Sequence, residues 1–319
     1  MADDQSQYRP RAARARRRTN GRRRTNGQRW FLVPFAALVV LATIGSSTLI
    51  IRHGQRATAA DPVPSLTAQS DTVNPTGSAV AAVDAMSAAE AGVLDIGVAV
   101  LDRQTGQLDL GAEGATQFYS ASVVKLYTVV DILHRVETGQ ATLSAAQQSN
   151  IQRALSVSDD NAMNVLWEQF GGPSTVTELI GLARLQDTRT PTDPGEWGET
   201  LLSPRDVVAV YQYLLTSLDP GHQQLVLSAL ASAQGTGADG FDQSFGLLRS
   251  PRAAGVAAKQ GWMIDGPYEY LHSTGVVGSG NRYVIAVLTK RPASNGYAAG
   301  RADVSTAVGH LTGSLGLTS

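Results

Sequence analysis

The chain has 319 residues, 43% hydrophobic and 17% charged, which suits one sizeable core with appendages and excludes a disordered or fibrous protein. Its formal net charge of -1 hides an asymmetry: residues 1–56 hold 12 of the 26 basic residues and two of the 27 acidic ones, leaving 14 and 25 for the rest. Zero cysteines rule out structural disulfides and a lipid-modified cysteine anchor.

The arginine-rich head, residues 9–29, has the composition of a nucleic-acid arm. The next stretch of chain argues for a membrane instead. Residues 30–51 form an uncharged run of about 22 residues, roughly 33 Å as a helix, enough to cross a bilayer. Arginines before the run mark the cytoplasmic side, so the body is expected outside the cytoplasm, in the cell envelope. A cleaved signal peptide is the competing reading, supported by Ala57-Thr58-Ala59; against it, the apolar run exceeds the usual core of about 7–15 residues. The expected organisation is a basic cytoplasmic segment 1–29, a transmembrane anchor 30–51, a flexible linker 52–85 rich in Ala, Ser, Thr, Pro and Asp, and a folded domain 86–319.

Within that domain, residues 95–102 read as a strand, 103–106 as a turn, and 107–110 as its hairpin partner. Next comes a helix, apolar nearly all round, through Val123, Val124, Leu126, Val129, Val130, Ile132 and Leu133. At its mouth stand Ser122 and Lys125, three residues apart and therefore on one face of a single helical turn. Burial lowers a lysine's pKa and favours its neutral, basic form. The helix N-terminus aims N–H groups and a positive dipole at an oxygen on Ser122. Ser-x-x-Lys by itself also describes an ordinary helix cap with a surface lysine. The chain, however, has 23 arginines and three lysines, Lys125, Lys259 and Lys290; a lysine kept in such company serves where arginine cannot, because it can be deprotonated.

Residues 142–234 read as helical, with Gly171-Gly172 ending one helix and Ser203-Pro204 capping another. Ser158-Asp159-Asp160-Asn161 lies among them, and residues 186–202 form a loop containing Glu196 and Glu199. Strands are expected at 257–263, 268–277 and 282–289, with a closing helix at 303–311. Lys259-Gln260-Gly261-Trp262 sits on the first of these strands. The order of elements implies an α/β (α+β) fold: an antiparallel sheet completed by both chain ends, flanked by helices, with an all-helical region inserted. The five histidines are scattered, without a helical metal-ligand spacing, so a zinc enzyme is disfavoured and no metal or organic cofactor is expected.

In order and spacing, Ser122-x-x-Lys125, Ser158-Asp159-Asp160 and Lys259-Gln260-Gly261 resemble the serine β-lactamases and penicillin-binding proteins, with class A β-lactamases the nearest group. The likeness runs from about residue 90 to the C-terminus. The resemblance implies a β-lactamase/D,D-peptidase-like fold. It makes Ser122 the nucleophile, Lys125 its base or proton relay, and Ser158 the donor to the leaving nitrogen. Lys259 then holds Ser158 and attracts a substrate carboxylate, and the N–H groups of Ser122 and Trp262 line the oxyanion hole. The individual motifs also have bland readings, Ser158-Asp159 as a helix cap and Lys259 as an edge-strand lysine.

Three departures bear on the reaction. Asp160 replaces the family's asparagine, so an ionised side chain there only accepts hydrogen bonds; Asn161 would compensate if the helix began one residue later. Gln260 replaces a hydroxyl residue that contacts substrate carboxylate; with Asp160, Gly261 and Trp262 it is still expected to line the substrate site by the resemblance. The Ω-shaped loop of class A enzymes carries Glu-x-x-x-Asn, whereas Thr200 and Ser203 lie four residues after Glu196 and Glu199; either glutamate is a candidate deacylation base or a solvated surface charge. The expectation is a membrane-anchored, monomeric serine hydrolase acting on a β-lactam or a peptidoglycan stem peptide. Its alternatives are a D,D-peptidase with slow deacylation and a degenerate cell-wall-binding module. Trp197 and Trp262 suit either a groove or a core.

Overall fold

The computed structural model describes residues 74–249 and 255–317. The basic head, the apolar run 30–51 and the linker as far as residue 73 lie outside the described residues. Among the described residues, no helix is long and apolar enough to cross a membrane.

The first described helix, α1 (Pro75–Ala89), begins inside the stretch read as linker. Asn74 caps it by accepting the Gly77 N–H at 3.2 Å, with proline at its start. Its buried positions, Ala79, Val80 and Val83, are small, so the sequence shows little amphipathic contrast; packing against the last helix, α8 (Gly296–Ser314), is what makes it part of the domain.

Strands β1 (Asp95–Asp102) and β2 (Gln107–Leu110) form the expected hairpin. With β5 (Ala257–Asp265), β6 (Tyr268–Val277) and β7 (Tyr283–Pro292) they build one antiparallel sheet, ordered β2-β1-β7-β6-β5. β1 pairs with β7 from Asp95↔Lys290 to Asp102↔Tyr283, closing the two ends of the domain onto each other. Both faces of the sheet are covered. Along β7, Ile285 and Val287 pack with α1 and α8, while Val284, Ala286 and Leu288 face the helical region; with a two-residue period, both sets must be apolar. That is why the late strands read as nearly continuous hydrophobic runs.

The inserted region contains α2 (Val124–Glu137), α3 (Ala145–Ser156), α4 (Asp160–Gln169), α5 (Pro173–Leu182), α6 (Pro204–Ser217) and α7 (Pro220–Ala231). Every residue of α2 from Val124 to Leu133 is buried, the polar Lys125, Thr128 and Asp131 along with the apolar majority that drives the burial. Two short strands, β3 (Phe118–Tyr119) and β4 (Leu201–Leu202), pair antiparallel. They tie the approach to Ser122 to the end of the 186–202 loop, a link between segments some eighty residues apart that no local pattern announces. The closing helix is longer than expected because Gly296–Ala302 folds as its first turns.

Candidate active site

Ser122 lies in a 3-10 turn, Ala121–Val123, that runs directly into α2. Ala121 has φ 45° and Ser158 φ 55°, left-handed backbone that costs a non-glycine residue of order 1 kcal/mol. Each of the two serines is thus held in, or beside, a conformation that the surrounding packing must enforce. Strand β5 presses on the nucleophile turn at Gly261, where an added Cβ would meet Ser120 O at 3.1 Å and Val123 Cγ2 at 3.2 Å. The glycine's contribution is this close approach of backbones.

The side chains converge as the motif order implied. Lys125 Nζ is 2.9 Å from Ser122 Oγ and 3.2 Å from Ser158 Oγ. It also donates to Ser158 O and to Asp160 Oδ1, each at 2.6 Å. Lys259 Nζ donates to Ser158 Oγ at 2.9 Å and to Gln260 O at 2.7 Å. Ser158 therefore bridges two lysines, both fully buried. Burial drives both ammonium groups below the usual lysine range; Lys125 on Lys259 adds like-charge repulsion, and Asp160 opposes the shift on Lys125.

Asp159 caps α4 by accepting the Ala162 N–H at 3.0 Å, and its other oxygen pairs with Arg153. The helix starts at Asp160 and Asn161 is exposed, so Asp160 occupies the inward position and Asn161 does not take it over. Gln260 points the other way from Lys259, as alternation along β5 demands. Its side chain is buried and donates to Phe245 O. This corrects the expectation that Gln260 contacts substrate: its amide supports the loop beneath the sheet. Trp262 also faces that side, its ring stacked on Phe241 at 4.6 Å and its indole N–H donated to Asp239 at 2.9 Å.

The turn Trp197–Glu199 packs beside Ala121 through Gly198. What it sets over Lys125 is an indole: Nζ lies 4.8 Å from the Trp197 ring centre, a cation–π distance. The Trp197 N–H donates to Asn164 Oδ1 at 2.8 Å. Glu196 and Glu199 flank this tryptophan, half-buried, and among the described residues neither makes a hydrogen bond or ion pair with Ser122, Lys125 or Ser158. Burial raises both carboxyls, helped by Asp265, Asp193 and, for Glu199, Glu196.

Several supporting residues gave no sequence signal. His272, fully buried and pushed down to about 4 by desolvation, accepts the Thr289 N–H on Nδ1 and donates from Nε2 to Tyr119 O at 2.7 Å. Its neutral ring anchors the chain just before the nucleophile. Thr274 donates to Lys259 O at 3.0 Å and is itself bonded to the Tyr211 hydroxyl at 3.1 Å. Asp206 accepts the backbone N–H groups of Gln186, Asp187 and Thr188 at 3.0, 2.8 and 2.7 Å, fastening the start of the loop. Among the described residues, no group of His, Cys, Asp and Glu forms a metal cluster.

A family model described as the beta-lactamase enzyme family matches residues 78–150 and 147–311. The chain is 37% identical over 218 residues to "Putative lipoprotein LppW" of Mycobacterium tuberculosis, covering 67% of this chain and 68% of that protein. Its fold is similar to that of a class A β-lactamase from Bacteroides cellulosilyticus, with TM-score 0.62, 16% identity, and 76% and 98% of the two chains covered. It is similar also to PBP-A, with TM-score 0.61, 17% identity, and 75% and 96% covered. PBP-A has been solved as a point mutant in an acyl-enzyme complex with penicillin G. Motif, geometry and family match agree, and the chain belongs to the beta-lactamase enzyme family, within the superfamily of serine β-lactamases and penicillin-binding proteins.

Proposed function

We propose that this protein is an envelope serine hydrolase, acylated at Ser122 by β-lactams or related cell-wall amides. The observation that carries this reading is Ser122 at 2.9 Å from a fully buried Lys125, with Ser158 between Lys125 and Lys259. Ser122 gives its proton to neutral Lys125 Nζ, and the oxygen attacks the carbonyl carbon. The C–N bond breaks, the leaving nitrogen takes the Ser158 proton, and a lysine ammonium replaces it on Ser158. N–H groups of Ser122 and Trp262 receive the oxyanion, and Lys259 attracts a substrate carboxylate. Hydrolysis of the acyl-enzyme requires a water activated by Glu196 or Glu199.

A second reading, a D,D-peptidase that β-lactams trap, is favoured because the neighbour over Lys125 is the Trp197 ring, and among the described residues neither Glu196 nor Glu199 is bonded to Ser122, Lys125 or Ser158. The 30–51 run would anchor the domain outside the cytoplasm. A relative named as a lipoprotein fits an envelope location, though a chain with no cysteine needs a different anchor.

Intact-protein mass spectrometry with a penicillin, followed over time, separates the readings. A Ser122-dependent adduct that decays as drug is consumed supports hydrolysis, and one that persists supports the trapped peptidase. No adduct with several β-lactam classes, or one retained in Ser122→Ala, overturns the proposal and favours a cell-wall-binding module.

A further inference from the structure

Resting on the reading of Ser122 and Lys125 as nucleophile and base, we infer that Asp160 is a positioning residue that sets the pH above which Lys125 accepts the Ser122 proton. Two of the oxygens around Lys125 Nζ, Asp160 Oδ1 and Ser158 O, are acceptors only, and each takes an N–H at 2.6 Å. An ammonium has one N–H left for the two hydroxyl oxygens, Ser122 Oγ at 2.9 Å and the more distant Ser158 Oγ at 3.2 Å, and the shorter contact is to Ser122. A neutral amine has no N–H left but a lone pair in that same direction. The Ser122 hydroxyl then donates to it, ready for transfer. One arrangement of heavy atoms therefore serves both states, and loss of a single proton reverses the Ser122–Lys125 hydrogen bond.

What decides the state is the charge around Nζ. From α4 and its cap, Asp160 and Asp159 favour the ammonium, as does Asp239 from the loop before β5. The face of Trp197, flanked by Glu196 and Glu199, acts in the same sense. Burial opposes; Lys259 on β5 lies across Ser158, whose hydroxyl is bonded to both lysines. Asp160 is the only one of these charges in contact with Nζ, in an ion pair at 2.6 Å. An amide in its place keeps an oxygen for the N–H and removes the charge. Loss of an opposite charge at such a distance moves a pKa by about 1–3 units, here downward. The Ser122 proton then has an acceptor at a lower pH.

The test exploits the three lysines of the chain. The full-length protein in detergent, carrying 13C at lysine Cε, gives three resonances. Lys290→Arg identifies one, and proximity to the Trp197 ring identifies Lys125. Asp160→Asn should lower the Lys125 titration midpoint by at least one pH unit and move the rising limb of fluorescent-penicillin acylation by the same amount. Asp160→Glu, which keeps the charge, should leave both near their native positions. An unmoved or raised Lys125 midpoint in Asp160→Asn overturns the inference, as does a limb that moves without it. If Ser122 is never labelled, the functional reading fails, while the lysine titration still decides what Asp160 does.

Discussion

Replacing Ser158 by alanine removes one oxygen and leaves two buried lysines without their bridge. Lys259 Nζ keeps Gln260 O at 2.7 Å but loses Ser158 Oγ at 2.9 Å, and Lys125 keeps three of its four oxygen neighbours. One buried donor left unpaired costs about 1–3 kcal/mol. Alanine inherits the φ of 55°, so no strain is released to offset this. For a domain of this size, each kcal/mol corresponds to about 2–4 °C of melting temperature, so a fall of several degrees is expected in a thermal melt. The effect on acylation should be larger. Removing a positioned proton donor costs about 10²–10⁴-fold, equivalent to ~3–5 kcal/mol of barrier. The assay is the initial rate of fluorescent-penicillin labelling of folded protein, across drug concentrations to separate the rate constant from binding. Labelling within threefold of the parent, with the expected melting shift present, would refute Ser158 as the proton donor and reduce it to a structural link.

Three further outcomes rest on the packing and the charges. Gly275→Ala on β6 would drive a Cβ to 2.5 Å from Ala257 O and 2.9 Å from Ala258 Cα, both backbone atoms of β5; overpacking of this kind costs about 1–3 kcal/mol, and an unchanged denaturant midpoint would contradict it. Asp206→Ala strands three backbone N–H groups at the head of the 186–202 loop. It should destabilise the domain by about 3 kcal/mol and show first as faster amide exchange in that loop. Glu269, buried beneath α8, has its carboxyl raised from 4.5 to about 7 by desolvation, against the pull of Arg291. Its native form binds a proton more tightly than the unfolded chain does, so its contribution is complete below about pH 4.5 and is lost as pH rises through about 7. Glu269→Gln should therefore shrink the drop in melting temperature between pH 5 and 8. The drop should not vanish, because Asp131, likewise raised to about 7 by burial, acts with the same sign; an identical slope in parent and variant would reject the assignment.

The sequence by itself determined whatever is local or strictly periodic. Three-residue spacing joined Ser122 to Lys125, the scarcity of lysine singled out Lys125, Lys259 and Lys290, and short apolar runs between turn residues marked the strands that carry the sheet. The order of three short motifs placed the chain in its family. Tertiary structure decided what depends on elements far apart in the chain meeting at one point. Gln260 turns from the site because its neighbour Lys259 must face it, and strand alternation allows only one of the two. Trp197 covers Lys125, and His272 holds Tyr119, because β3, β4 and β6 bring distant segments to the nucleophile turn, and no local pattern encodes those meetings. Helix α1 stayed hidden in its alanines for the same reason: its stability comes from the surface of α8, more than two hundred residues later, and only folding supplies that surface.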